Sequence, residues 1–110
     1  MKYIIFTGFF LCSLLGFSQK IYSVDYASQA DVKVYVVSSA SQADLKMYKV
    51  SSSSQASGNQ GKWYFVDYAS QAKVKVFFVD YASQAELKIY YVSSSSQAGW
   101  VKRSKSYLLE

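Results

Sequence analysis

The sequence predicts a β-rich α+β domain of six tandem units, each a strand followed by a short helical turn, arranged as two pseudo-twofold-related triplets. Three observations carry this prediction. The triplet Ser-Gln-Ala recurs six times, from Ser28, Ser41, Ser54, Ser70, Ser83 and Ser96, in even steps but for a longer one from Ser54 to Ser70. The segment that opens each unit is crowded with β-branched and aromatic residues, which favour a pleated surface. The offset that lays Ser28 on Ser70 also lays Ser41 on Ser83 and Ser54 on Ser96, so the first three copies superimpose on the last three. A unit this short cannot bury its own apolar side, so the copies must pack on each other.

Residues 1–18 differ from the rest. Lys2 precedes an apolar stretch from Tyr3 to Phe17, and Gly16 and Ser18 place small residues before a cut ahead of Gln19. This is the pattern of a secretory signal peptide, residues 1–18. The apolar run is too short for a spanning helix, which needs about 20 residues. Cys12 lacks the small residue ahead and polar spacer behind that a lipid-modified cysteine wants. No stable membrane insertion is therefore expected once the leader is removed, and the protein is expected in the periplasm or outside the cell. What remains has no cysteine, histidine or proline, so no disulfide staples the domain.

The repeat domain is expected over residues 19–100, with halves 20–61 and 62–100. Its units open at Lys20, Lys33, Lys46, Lys62, Lys75 and Lys88. An apolar second residue follows (Ile21, Val34, Met47, Trp63, Val76, Ile89), then an aromatic third (Tyr22, Tyr35, Tyr48, Tyr64, Phe77, Tyr90). The fourth residue varies, and the fifth is always valine: Val24, Val37, Val50, Val66, Val79, Val92. Alternation along a strand puts the aromatic and the valine on one face. Their constancy marks that face as the expected core, while the variable fourth position, which admits Ser23 and Lys49, meets water. Next comes Asp or Ser, then Tyr or Ser, a small residue and Ser-Gln-Ala. The Asp or Ser is expected to cap a single helical turn, its side-chain oxygen accepting from N–H groups two or three residues on. One long helix could carry the same even spacing, but the valine and aromatic density opposes it. Ser57, Gly58, Asn59, Gln60 and Gly61 between the halves read as a flexible loop. Residues 101–110 form a C-terminal tail, basic at Lys102, Arg103 and Lys105 and apolar at Tyr107, Leu108 and Leu109.

Strings such as KVYVVSSASQADLKMY and KVFFVDYASQAELKIYYV, with the closing Ser-Gln-Ala-Gly-Trp at 96–100, resemble the septknot family of small bacterial domains. The resemblance runs from Lys20 to Trp100, most of the chain. It implies a compact, monomeric domain wound into a seven-crossing torus knot, with no assigned function. The four-serine units Ser51–Ser54 and Ser93–Ser96, and the serine that replaces tyrosine in the second unit, depart from the common unit. Periodicity alone would suggest a solenoid or closed ring, since knots are very rare.

Function is less legible. A formal net charge of +5 is mild and spread along the chain, not the concentrated basic patch that nucleic acid needs. Without histidine, a thiol after leader removal, or a glycine-rich phosphate loop, the chain reads as non-enzymatic, with no cofactor and no metal. The recurring Ser-Gln pairs read as structural groups that satisfy backbone where strands end. The repeat lysines read as solvated, or as modest cation–π partners of the third-position rings. Tyr26, Tyr68 and Tyr81 are the candidate surface-binding residues, because only three of the units carry them. The expectation is an exported, mechanically and proteolytically robust scaffold or binding module. A fibre-forming structural protein using Ser/Gln ladders, and a glycan- or protein-binding module built on the Asp-Tyr units, are the alternatives.

Overall fold

The computed structural model describes residues 18–110, so the expected leader lies outside the described residues save for Ser18. Six strands open the six units: β1 (Lys20–Ser23), β2 (Val32–Val36), β3 (Leu45–Lys49), β4 (Lys62–Phe65), β5 (Val74–Phe78) and β6 (Leu87–Tyr91). After each comes a short 3₁₀ turn: η1 (Ala27–Gln29), η2 (Ala40–Gln42), η3 (Ser53–Gln55), η4 (Ala69–Gln71), η5 (Ala82–Gln84) and η6 (Ser95–Gln97). A short β7 (Gly99–Trp100) and a longer 3₁₀ segment, η7 (Arg103–Leu109), complete the chain. Among the described residues the helical component of the predicted α+β class is 3₁₀ throughout, the tight form that suits short connectors.

The strands are parallel, apart from the antiparallel β7, and lie in the order β4-β1-β5-β2-β6-β3-β7. A further β3–β4 pairing closes this sheet into a ring. Consecutive strands are two places apart, with one strand from elsewhere in the chain between them, except β3 and β4, which pair directly where the ring closes. Five of the 3₁₀ turns lie over that intervening strand, η1 over β5, η5 over β2, η2 over β6, η6 over β3 and η4 over β1, whereas η3 lies against β4, the strand it leads into. Parallel neighbours normally need crossovers of a dozen residues or more. Here residues 24–31 suffice between β1 and β2 because the path clears a single strand with one tight turn.

Stagger is uniform around the ring. Val34, a second-position residue, pairs with Phe78 on one side and Leu87 on the other. Ile21 stands in the same relation to Phe65 and Val74. Each fifth-position valine donates its N–H to a second-position carbonyl next door: Val24 to Val76, Val37 to Ile89, Val50 to Trp63, Val66 to Ile21, Val79 to Val34 and Val92 to Met47, all within 2.8–3.0 Å. These six bonds visit every unit and return to the start. The two triplets therefore interleave. The offset that superimposes the triplets carries β1 onto β4, β2 onto β5 and β3 onto β6, each its ring neighbour, so duplication acts as a step of one place where a half-turn was expected.

The core corrects the expected face. It is built from the second-position residues together with the apolar residue before four of the six lysines: Ile21, Val32, Val34, Leu45, Met47, Trp63, Val74, Val76, Leu87 and Ile89, with Leu109 added from the C-terminal segment. These positions alternate to the inside of the ring. The third-position rings are half-buried on the outer face beneath the crossovers. The valines lie beyond their strands; Val24, Val37 and Val50 are buried, whereas Val66, Val79 and Val92 are half-buried. A narrow ring can seal only one face of each strand. The outer face is covered in part, which suits tyrosine with its apolar body and polar tip.

The loop at 57–61 and the C-terminal segment seal one seam. β4 pairs with the end of β3 (Tyr48↔Lys62), and β7 pairs with its beginning (Lys46↔Gly99), filling the length that β4 leaves bare. Gly61 turns there at φ 88°, and a Cβ on it would stand 2.5 Å from the Lys46 carbonyl oxygen. Asn59, expected in a flexible loop, donates through Nδ2 to the Ser106 carbonyl at 2.9 Å and accepts at its own carbonyl from Trp100 Nε1 at 2.9 Å. Gln19 Nε2 donates to Leu109 O at 3.3 Å, so the two ends of the described chain meet.

Candidate binding surface

All six crossovers share one backbone. The residue before the 3₁₀ turn is extended in every unit, for example Tyr26 at φ −132°, ψ 138° and Ser39 at φ −140°, ψ 146°. This residue, not the Asp or Ser ahead of it, occupies the cap position, and no side chain caps any of the turns. The expected capping role of Asp25, Asp67 and Asp80 is thus overturned. The turn closes on backbone bonds alone, such as Gln29 N–H to Tyr26 O at 3.0 Å. It therefore has no need of a side-chain oxygen.

The serine units spend their hydroxyls on each other. Ser39 and Ser41 lie 3.1 Å apart, Ser52 and Ser54 3.1 Å, and Ser94 and Ser96 3.2 Å. Of the repeat glutamines, Gln55 takes the structural part expected of the Ser-Gln pair, accepting at Oε1 from the Ser51 N–H and hydroxyl. In the other three units a tyrosine stands instead. Tyr26, Tyr68 and Tyr81 are 67%, 66% and 67% exposed. They precede η1, η4 and η5, which lie over β5, β1 and β2. Those strands are consecutive in the ring. Residues 26, 68 and 81, dispersed along the chain, thus decorate three adjacent crossovers, and the serine units occupy the other half of the girdle.

Between adjacent crossovers run grooves with a repeated lining. Beside Tyr26 a groove of about 490 Å³ presents Tyr22, Asp25, Gln29 and Lys75. The next place on the ring repeats it at about 470 Å³ with Tyr64, Asp67, Gln71 and Lys20. On the serine half the constellation is Tyr35, Ser38, Gln42 and Lys88, or Tyr90, Ser93, Gln97 and Lys46. Asp25, Asp67 and Asp80 are exposed and make no hydrogen bond or ion pair among the described residues. Burial raises the Tyr91 hydroxyl, in the groove with Tyr90, above its ordinary value of 10.0. The repeat lysines line the grooves; the cation–π contact found among the described residues is Lys49, at a fourth position, 5.4 Å from the Phe65 ring centre.

A second set of acids, which sequence reasoning passed over, is fully engaged. Asp31, Asp44 and Glu86 stand two residues before a repeat lysine. Each accepts a lysine backbone N–H from the neighbouring strand at 2.9 Å: Lys75, Lys88 and Lys33 respectively. Each returns its own N–H to the same lysine's carbonyl at 2.7–2.8 Å. These clasps prolong the ladder past the strand end. Asp44, 1% exposed, also meets Lys105 at 3.2 Å and Lys102 at 3.7 Å, and its carbonyl accepts the Val101 and Lys102 N–H groups. The signal for these acids was an acidic residue set before the pre-lysine apolar position. It is present in only some units, and its partners lie far off along the chain, in the opposite triplet.

A path that steps past a neighbouring strand at every connection but one winds nearly twice around the ring, which is compatible with a seven-crossing torus knot. The model of the Septknot family, described as the 7(1) septoil knot domain, matches residues 18–101. The chain belongs to the Septknot family. No curated protein and no solved structure matches it. The Septknot match takes in all seven strands and stops at Val101, so η7, which delivers Leu109 to the core, lies beyond it.

Proposed function

We propose that this Septknot domain is an exported, non-enzymatic module, periplasmic or secreted, whose winding makes it a scaffold resistant to unfolding and proteolysis. The observation that carries this reading is the interleaved ring. β5 lies between β1 and β2, and β6 between β2 and β3, so no unit can peel away without displacing strands laid down elsewhere in the chain. Proteases cut segments that open locally, and here local opening is coupled to the whole ring. The closed ladder also leaves no long unpaired edge for strand addition, which supports a discrete module over a fibre. The leader sequence at residues 1–18 supports export.

The test is digestion by a broad-specificity protease, beside an unknotted domain of equal size and matched equilibrium stability. The expected result is cleavage inside the ring at least about tenfold slower, as for a protein whose opening is rate-limiting. Equal rates would remove the proposal. A second reading, that the girdle of Tyr26, Tyr68 and Tyr81 is a binding surface, is favoured by their placement on three adjacent crossovers.

A further inference from the structure

We propose that the Asp-Tyr crossovers, with two like grooves and three exposed rings, form an extended site for an uncharged saccharide chain, an inference that rests on reading the tyrosine girdle as a binding surface. The fold does not explain these residues. Serine units build the same turn with nearly the same dihedral angles, so neither the aspartate nor the tyrosine is needed to make it. Every acid that the ring requires is occupied by a backbone N–H, whereas Asp25, Asp67 and Asp80 are unspent. Three large rings held two-thirds exposed gain little from burial.

The chemistry of each copy selects the ligand. Asp25, Gln29 and Lys75 surround Tyr22 beside Tyr26 in one groove, Asp67, Gln71 and Lys20 surround Tyr64 in the next, and Tyr68 and Tyr81 add exposed rings on the neighbouring crossovers. One carboxylate and one ammonium leave each groove near neutrality, which disfavours a polyanion or a basic peptide. Acceptors, donors and an amide set around flat rings match a polyol, whose hydroxyls need both partners and whose C–H faces stack on aromatics. The grooves have the size of small-molecule sites but are open, as a long ligand needs. Repetition supplies the last argument. Equivalent sites at adjacent ring places are redundant for a single small molecule. Against a repeating polymer they act together, each contact raising the effective concentration for the next.

The experiment is native affinity electrophoresis of the full chain, expressed with its own leader, through gels containing a soluble β-glucan, xylan, mannan or dextran. Pull-down on insoluble chitin and cellulose runs alongside. Retardation or retention by at least one of these neutral polymers is expected. Replacing all three tyrosines (Tyr26→Ser, Tyr68→Ser, Tyr81→Ser) installs the residue that serine units already carry, and is expected to abolish it. Single replacements are expected to weaken binding by about tenfold each through lost avidity. Tyr107→Ser, an exposed tyrosine away from the girdle, is expected to change nothing. Binding to none of the neutral polymers, binding to anionic polymers alone, or full retention by the triple variant would overturn the saccharide inference. A protein partner from the host that the triple variant loses would, with no polymer bound, overturn the saccharide and leave the surface reading standing. Loss of neither would overturn both.

Discussion

Gly61 sits where β3, β4 and β7 converge, and its lack of a side chain is a condition of closure. Its φ of 88° disfavours any Cβ, and that Cβ would meet Lys46 O at 2.5 Å and Gly99 N at 3.0 Å, both backbone atoms that cannot swing aside. Gly58, at φ 75° in the same loop, has nothing nearer than 3.8 Å. Gly61→Ala is therefore expected to cost about 3 kcal/mol or more and Gly58→Ala about 1 kcal/mol. Urea unfolding of the two variants checks the difference, and equal costs would show that the seam is slack. Constancy along the sequence misdirected the reading of the core. The fifth-position valine ends every strand with the same inter-unit backbone bond, and its side chain is buried or half-buried beside the strand ends, outside the ring's central cluster. The second position varies among Ile, Val, Met and Trp because six side chains of different volume must fill one small space. That pattern follows from the ring order, which local alternation does not contain.

At the scale of elements, the strands and turns were legible because each unit carries its own local signals. β-Branched and aromatic residues mark Lys20–Ser23 and its equivalents, and Ser-Gln-Ala marks each turn. The C-terminal segment had no repeat to announce it. Residues 101–110 read as a tail, yet η7 returns to the ring, buries Leu109 completely and packs Leu108 beside it. Its anchors, Asp44 with Lys105 and Asn59 with Ser106, join positions remote in the chain. Leu109→Ala is expected to cost about 2–5 kcal/mol, the usual range for emptying a buried leucine site. An unchanged denaturation midpoint would mean that the mouth of the ring is sealed without it. The tyrosine girdle was half legible. Three units stood out by composition, but their adjacency on the ring depends on interleaving.

The whole molecule behaves as a ring rather than as a stack. In an open repeat array the terminal units fray first, and an open sheet exchanges its edge amides early. Here the six valine amides, Val24, Val37, Val50, Val66, Val79 and Val92, close one circuit. Native-state hydrogen exchange is expected to give them similar protection. Much faster exchange at Val50, whose bond crosses from β3 to Trp63 on β4, would show instead that the ring opens at its seam. That seam also sets a timetable. The strand that completes the flank of β3 is Gly99–Trp100, and the leucine that fills the mouth is Leu109. Without them the flank of β3 is bare and the core lacks one side chain. Whatever the order in which the other strands pair, locking waits for those two pieces.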